Sequence, residues 1–198
     1  MSELAQVSAA IAHRGRRVGF AAGIETFGYD VYRETTVRLA VGGRATRVLA
    51  AGAAIDATQV AVRGYGATYA AALGFGAATR PTRDVALSLT VTPLAMWARG
   101  ALRIDRDRRI ALDGEYRLAP TVGIVGTLAH EASRGWSSGL GVTLRPRPWV
   151  ALSLGRTGGP PGFVLGCGIG VGHGGFAYDV RLHPDLPATQ TVGATVGW

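Results

Sequence analysis

The sequence predicts an all-β fold, an antiparallel up-and-down meander forming a transmembrane β-barrel of about 12 to 14 strands. Three observations lead there. Apolar and polar residues alternate with a period of two in segment after segment, a pattern that only an extended strand turns into two distinct faces. Charged residues fall in the middle of those segments, on the polar face. No run of about 18 apolar residues occurs, so a membrane-spanning helix is excluded, whereas strands of about 9 to 13 residues are long enough to cross.

The alternation is clearest where Val85, Leu87, Leu89 and Val91 interleave with Asp84, Ala86, Ser88 and Thr90. It repeats where Ile110, Leu112, Gly114, Tyr116 and Leu118 interleave with Arg109, Ala111, Asp113, Glu115 and Arg117. Further strands follow from Val18, Phe20, Ala22 and Ile24, from Val37, Leu39 and Val41, and from Leu140, Val142 and Leu144. Late in the chain Phe163, Leu165, Cys167, Ile169 and Val171 share one face, as do Phe176, Tyr178, Val180 and Leu182. Turn signals separate these segments: HRGRR, GGRA, RPTRD, DRDRR, LAP, RPRP, TGGPP, GHGG and HPDLP. No linker divides the chain, which predicts one domain over residues 1–198, and no longer repeat suggests a solenoid or propeller.

A soluble barrel also alternates, so the placement of charge decides between the two. Arg38, Asp113, Glu115, Arg117, Asp179 and Arg181 stand in mid-strand opposite faces of Val, Leu, Ile and Phe. With the apolar face inward, about a dozen strands would enclose an interior too wide for side chains to fill. Turning the apolar face to lipid and the charged face to a polar lumen removes that difficulty. Aromatic residues near segment ends (Phe27, Tyr29, Tyr32, Trp97, Trp136, Trp149, Phe163 and Trp198) resemble an interfacial girdle.

Composition agrees. Thirty Gly accompany a 47% hydrophobic content and only 17% charged residues, and Gly is frequent where a barrel wall bends or backbones approach closely. The net charge of +8 comes from Arg alone, since Lys is absent, as is Asn. These Arg residues are spread through the chain and recur near segment ends (Arg16, Arg17, Arg80, Arg83, Arg106, Arg108, Arg109, Arg145, Arg147), which argues against a nucleic-acid partner, whose sites gather cations on one stripe. A single Cys167 permits no internal disulfide and no metal-type Cys spacing. The start MSELAQVSAA has neither the basic nor the apolar region of a secretory signal. An exported chain is therefore expected to carry that information upstream of this start.

The last segment presents Val192, Ala194, Val196 and Trp198, an alternating strand ending on an aromatic. It looks like the signal by which bacterial barrels are handed to their assembly machinery. The stretch RGYGATYAAALGFGAATRPTRDVALSLTVTPL and the tail from Gly155 to Trp198, with its His183–Leu186 turn, resemble outer-membrane barrels of the PorV/PorQ type, related in fold to long-chain fatty-acid transporters. The resemblance spans roughly residues 17 to 198. It implies a bacterial outer-membrane location, lipid and the assembly machinery as partners, and a channel, hydrophobic-solute carrier or secretion accessory without chemistry or cofactor of its own. The family's N-terminal Asn-Pro-Ala-Gly-like segment is missing here, which implies that N-terminal hairpins of the pattern lie outside this sequence.

Three motifs suggest chemistry and are better explained structurally. Gly135, Ser137 and Gly139 match G-x-S-x-G, but the nucleophile elbow needs a strand before it and a helix after it, and LGVTLRP is a strand. Gly170, Gly172 and Gly175 match G-x-G-x-x-G, yet FAYDVRL, which follows, is no helix. His130 and Ser133 differ by three positions, which on a strand puts them on opposite faces. His13, His130, His173 and His183 sit near turns with no metal-ligand spacing.

The expected functional residues are therefore those of the polar face: Arg38, Asp113, Glu115, Arg117, Arg145, Asp179 and Arg181. They would plug a lumen, select solutes or simply hold the wall together. The rivals are a membrane-embedded hydrolase built on His130 with Ser137 or Ser133, and a soluble β-sandwich acting as an adhesin-like interaction module.

Overall fold

The structure is a computed structural model that describes residues 5–15, 17–100, 107–159, 161–172, 174–184 and 188–196. Among the described residues thirteen strands follow one another in a single antiparallel order, each hydrogen-bonded to its neighbour in the chain, with no helix. The chain divides into two compact units, Met1–Thr79 with Leu89–Ile110, and Arg80–Ser88 with Ala111–Trp198.

The first unit holds β1 (Ala5–Arg14), β2 (Val18–Tyr29), β3 (Tyr32–Arg44), β4 (Leu49–Val62), β5 (Gly66–Thr79) and the larger part of β6 (Val85–Gly100). In-register pairing stacks Phe20, Val41, Ala53 and Phe75 on one face, and Ala22, Leu39, Ile55 and Leu73 beside them. The alternate positions, Gly23, Arg38, Asp56 and Ala72, form the other face.

The second unit holds most of β7 (Arg109–Ala119), then β8 (Val122–Glu131), β9 (Gly135–Arg147), β10 (Val150–Gly158), β11 (Gly162–Val171), β12 (Gly174–Leu182) and β13 (Thr189–Val196). Leu144, Leu152 and Cys167 line up across β9, β10 and β11, and Tyr178 continues the row on β12. The opposite face carries the row Gly123, Thr143, Ser153, Gly166, Asp179 and Thr191.

Burial runs opposite to that of a water-soluble core. Among the described residues the buried ones have short side chains or none: Val60, Ala70, Ala72, Asp56, Thr58, Thr68 and Gly74 in the first unit, Ala111, Ala129, Gly123, Gly141 and Gly162 in the second. The large apolar side chains stand exposed, Leu39 at 53%, Ile55 at 46%, Leu140 at 66% and Leu154 at 55%. In water each would forgo about 1.5–3 kcal/mol of burial.

Local chemistry sets the turns. Thr46 Oγ1 accepts from the Val48 and Leu49 amides at 3.3 and 3.0 Å, and Thr82 Oγ1 repeats this with Asp84 and Val85 at 3.3 and 3.1 Å. Such a hydroxyl supplies the backbone contact that a turn otherwise lacks. The first of these moves the expected GGRA turn: β3 continues through Arg44 and reverses at residues 45–48. RPRP shifts likewise, since β9 runs to Arg147 and the reversal falls at Pro148 and Trp149. In β2, beside the two-residue β2–β3 turn, Gly28 has φ +145°, and a Cβ there would run into the Tyr32 carbonyl oxygen, so only Gly lets the two strands close so tightly.

Candidate functional site

The charged face begins in the first unit with Arg38. Its Nε and Nη2 donate to the two carboxylate oxygens of Asp56 at 2.6 and 2.7 Å, the bidentate geometry that suits a planar guanidinium. β3 and β4 place the two directly opposite each other. One step along, Thr36 and Thr58 share a hydroxyl hydrogen bond of 2.9 Å.

In the second unit the predicted residues gather on one face in three groups. Thr127 Oγ1 donates to Asp113 Oδ1 at 2.7 Å, tying β8 to β7. Arg145 on β9 approaches Glu115 on β7 at 3.8 Å. Arg117 and these two line a hollow of 110 Å3 together with Arg80, Arg83 and Asp84 of the β5–β6 turn. The Arg117 amide donates to the Asp84 carbonyl at 2.7 Å, which locks that turn against β7. Four guanidinium groups against two carboxylates make this hollow basic.

Asp179 and Ser153 form the third group. Both reach over Gly166, which stands between them in register, and a Cβ on Gly166 would strike the Asp179 carboxylate and the Ser153 hydroxyl. Glycine here leaves room for polar side chains to cross the wall. Arg181 lies on the same face of β12, opposite Val164 and Thr189, and makes no ion pair among the described residues.

All seven expected residues thus occupy the polar faces of their strands, but not as one network. Arg38 belongs to the first unit, the other six to the second. Asp56, Thr127, Ser153, Arg80 and Arg83 join them and were not expected from the sequence. Asp56 left little signal in the sequence, because Ala and Gly stand on both faces of β4 and its alternation is weak.

A solved structure of a KdgM porin resembles this chain with a TM-score of 0.53 and 11% sequence identity, over 81% of this chain and 88% of that one. The likeness gives the fold alone: an antiparallel β-barrel meander like that of the porin. No family model matches the chain, and no curated protein matches it.

The motifs that suggested chemistry are absorbed by this fold. Gly135, Ser137 and Gly139 lie within β9, with Ser137 paired to Ala129 and His130 paired to Trp136, so His130 and Ser137 sit on opposite faces. Ser133 lies in the β8–β9 turn. His130 packs edge-on against Trp136, ring centroids 4.9 Å apart. Gly170, Gly172 and Gly175 span the β11–β12 hairpin, where Gly172 takes φ +57°.

Of the expected assembly signal, Val192 and Ala194 share the apolar face of β13, opposite Tyr178 and Phe176, and Val196 ends the strand. Trp198 lies outside the described residues, as do Arg16, Arg106, His173 and Leu186.

Proposed function

We propose that this chain is a non-enzymatic outer-membrane channel whose lumen is lined by Arg38, Asp113, Glu115, Arg117, Arg145, Asp179 and Arg181. The observation that carries the proposal is the inversion of faces. Leu39, Ile55, Leu140, Leu154 and Leu165 stand exposed on the face opposite Arg38, Asp56, Thr143, Ser153 and Asp179. A bilayer accepts that arrangement and water does not, because lipid-facing and lumen-facing residues must alternate along a spanning strand. The likeness to a porin fits passage of solutes through such a wall.

The charged face is wet by this account, which explains how Arg38 can be paired while its side chain stays 60% exposed. Glu115 and Arg145, at 3.8 Å, sit in the loose contact expected where water screens both. The narrower PorV/PorQ-type placement, with its secretion-accessory and hydrophobic-carrier roles, rests on strand rhythm, the His183–Leu186 turn and the C-terminal strand of the sequence alone. Lipid and the assembly machinery are the partners this function requires.

The test is heat modifiability of detergent-refolded protein, followed by conductance across a planar bilayer. Unheated protein migrating apart from boiled protein, with a β-rich spectrum and stepwise conductance, is the expected result. A chain that stays monodisperse without detergent and conducts nothing would sink the proposal in favour of a soluble sheet protein.

A further inference from the structure

The apolar face carries isolated cations in each unit. Among the described residues no strand carries Asp or Glu on that face, yet Arg33 and Arg156 stand on it, as does Arg147 of β9, which a register shift pairs with Val150. Arg156 of β10 shares its face with Leu152 and Leu154 and lies in register between Leu140 of β9 and Phe163 of β11. Those two neighbours are 66% and 53% exposed. Arg33 of β3 shares its face with Val37, Leu39 and Val41, in register between Gly28 and Ala61. Neither arginine has an ion pair among the described residues, and Asp30 in the adjoining turn makes none with Arg33.

Position along the strand is as informative as face. Arg33 is the second residue of β3, next to the β2–β3 turn, and Arg156 stands two residues before the end of β10, next to the β10–β11 turn. At the other ends of these strands the same face is apolar, with Val41 and Val150. In a spanning meander every strand reverses the crossing, so within each unit the turns that follow alternate strands emerge on one side of the bilayer. Polar aromatics accompany the arginines there. Gln59 donates to Tyr69 Oη at 3.3 Å near the β4–β5 turn, and His130 packs on Trp136 at 4.9 Å by the β8–β9 turn.

We infer that Arg33 and Arg156 bind the phosphate groups of anionic lipids, Arg33 in the leaflet that meets the β2–β3 turn and Arg156 in the leaflet that meets the β10–β11 turn. Arg156 between Leu140 and Phe163, and Arg33 between Gly28 and Ala61, have no carboxylate on their face to pair with. The length of the side chain lets it reach the headgroup level, where phosphate is the anion at hand. This inference rests on the membrane reading above.

The experiment uses the full chain refolded into vesicles of phosphatidylcholine alone or mixed with phosphatidylglycerol, with retained lipid counted by native mass spectrometry. Wild-type protein retains phosphatidylglycerol in preference. Arg33→Gln and Arg156→Gln each weaken that retention about fivefold, and the double variant more, with phosphatidylcholine unaffected. Arg156→Lys keeps most of the retention, which separates charge from any folding effect. A double variant that holds phosphatidylglycerol as well as wild type overturns the inference and leaves the channel standing. Failure of wild-type protein to enter either kind of vesicle overturns both.

Discussion

Arg38 and Asp56 face each other across β3 and β4 in a bidentate pair whose members differ in exposure: the guanidinium side chain is 60% exposed and the carboxylate side chain 8%. Removing either partner should therefore not cost the same. Arg38→Ala strands a nearly buried carboxylate, for which the loss expected is about 2–3 kcal/mol, whereas Asp56→Ala leaves a guanidinium that water can reach and costs about 1 kcal/mol. The double variant should recover part of the Arg38→Ala loss. Urea unfolding in detergent, followed by the gel shift, measures all three, and equal losses for the two single variants would show that Asp56 is hydrated independently of Arg38.

Glu115 and Arg145 behave differently, because both are well exposed and 3.8 Å apart. Glu115→Gln is expected to change stability by no more than about 0.5 kcal/mol. Its effect belongs to conduction. Removing one of two carboxylates from a hollow that holds four arginines should move the reversal potential in a salt gradient toward that of the anion. An unchanged reversal potential in a channel that still conducts would place this hollow outside the ion path.

Much of this was legible in the sequence wherever the two faces differ strongly. β7 reads unambiguously because Ile110, Leu112, Tyr116 and Leu118 alternate with Arg109, Asp113, Glu115 and Arg117. β4 and β5 do not, since LAAGAAIDATQVAV and GATYAAALGFGAAT put Ala and Gly on both faces and leave alternation almost no amplitude. They are nonetheless the best-buried strands of the first unit, holding Asp56, Thr58, Val60, Thr68, Ala70 and Ala72. The candidate site divided similarly. Mid-strand charges could be assigned to a face from parity alone, but Arg80 and Arg83 come from a turn, and only the fold brings a turn against β7 and β9.

Gly28 offers a test of the β2–β3 hairpin. At φ +145° an L side chain is strained, and its Cβ would also meet the Tyr32 carbonyl oxygen, a backbone atom that cannot swing aside. Gly28→Ala should destabilise the refolded protein by about 1–3 kcal/mol, by the same crowding that penalises overpacked interiors. Gly64, whose φ is +84° but around which a Cβ meets nothing within 4 Å, is the natural control and should lose less. Refolding yield and unfolding midpoints of the two variants would decide it, and a Gly64→Ala loss equal to that of Gly28→Ala would remove the role of the close approach.

Neighbouring positions on β9 can test the inversion of faces directly. Val142 lies on the apolar face, 40% exposed, paired with Ile124 and Leu154. Thr143, the next residue, is paired with Gly123 and Ser153 on the charged face, where small side chains leave room. An arginine placed near mid-strand toward lipid is expected to cost about 2–4 kcal/mol, while one directed into a polar lumen keeps its hydration. Val142→Arg should therefore fold poorly into vesicles, and Thr143→Arg should fold as wild type does and shift ion selectivity toward anions. In a soluble sheet with the same register neither substitution would respond to lipid, because the exposed Val142 would simply present its arginine to water. Folding of the two variants compared with and without bilayer separates these cases, and a Val142→Arg protein that inserts as readily as Thr143→Arg would contradict the lipid-facing assignment.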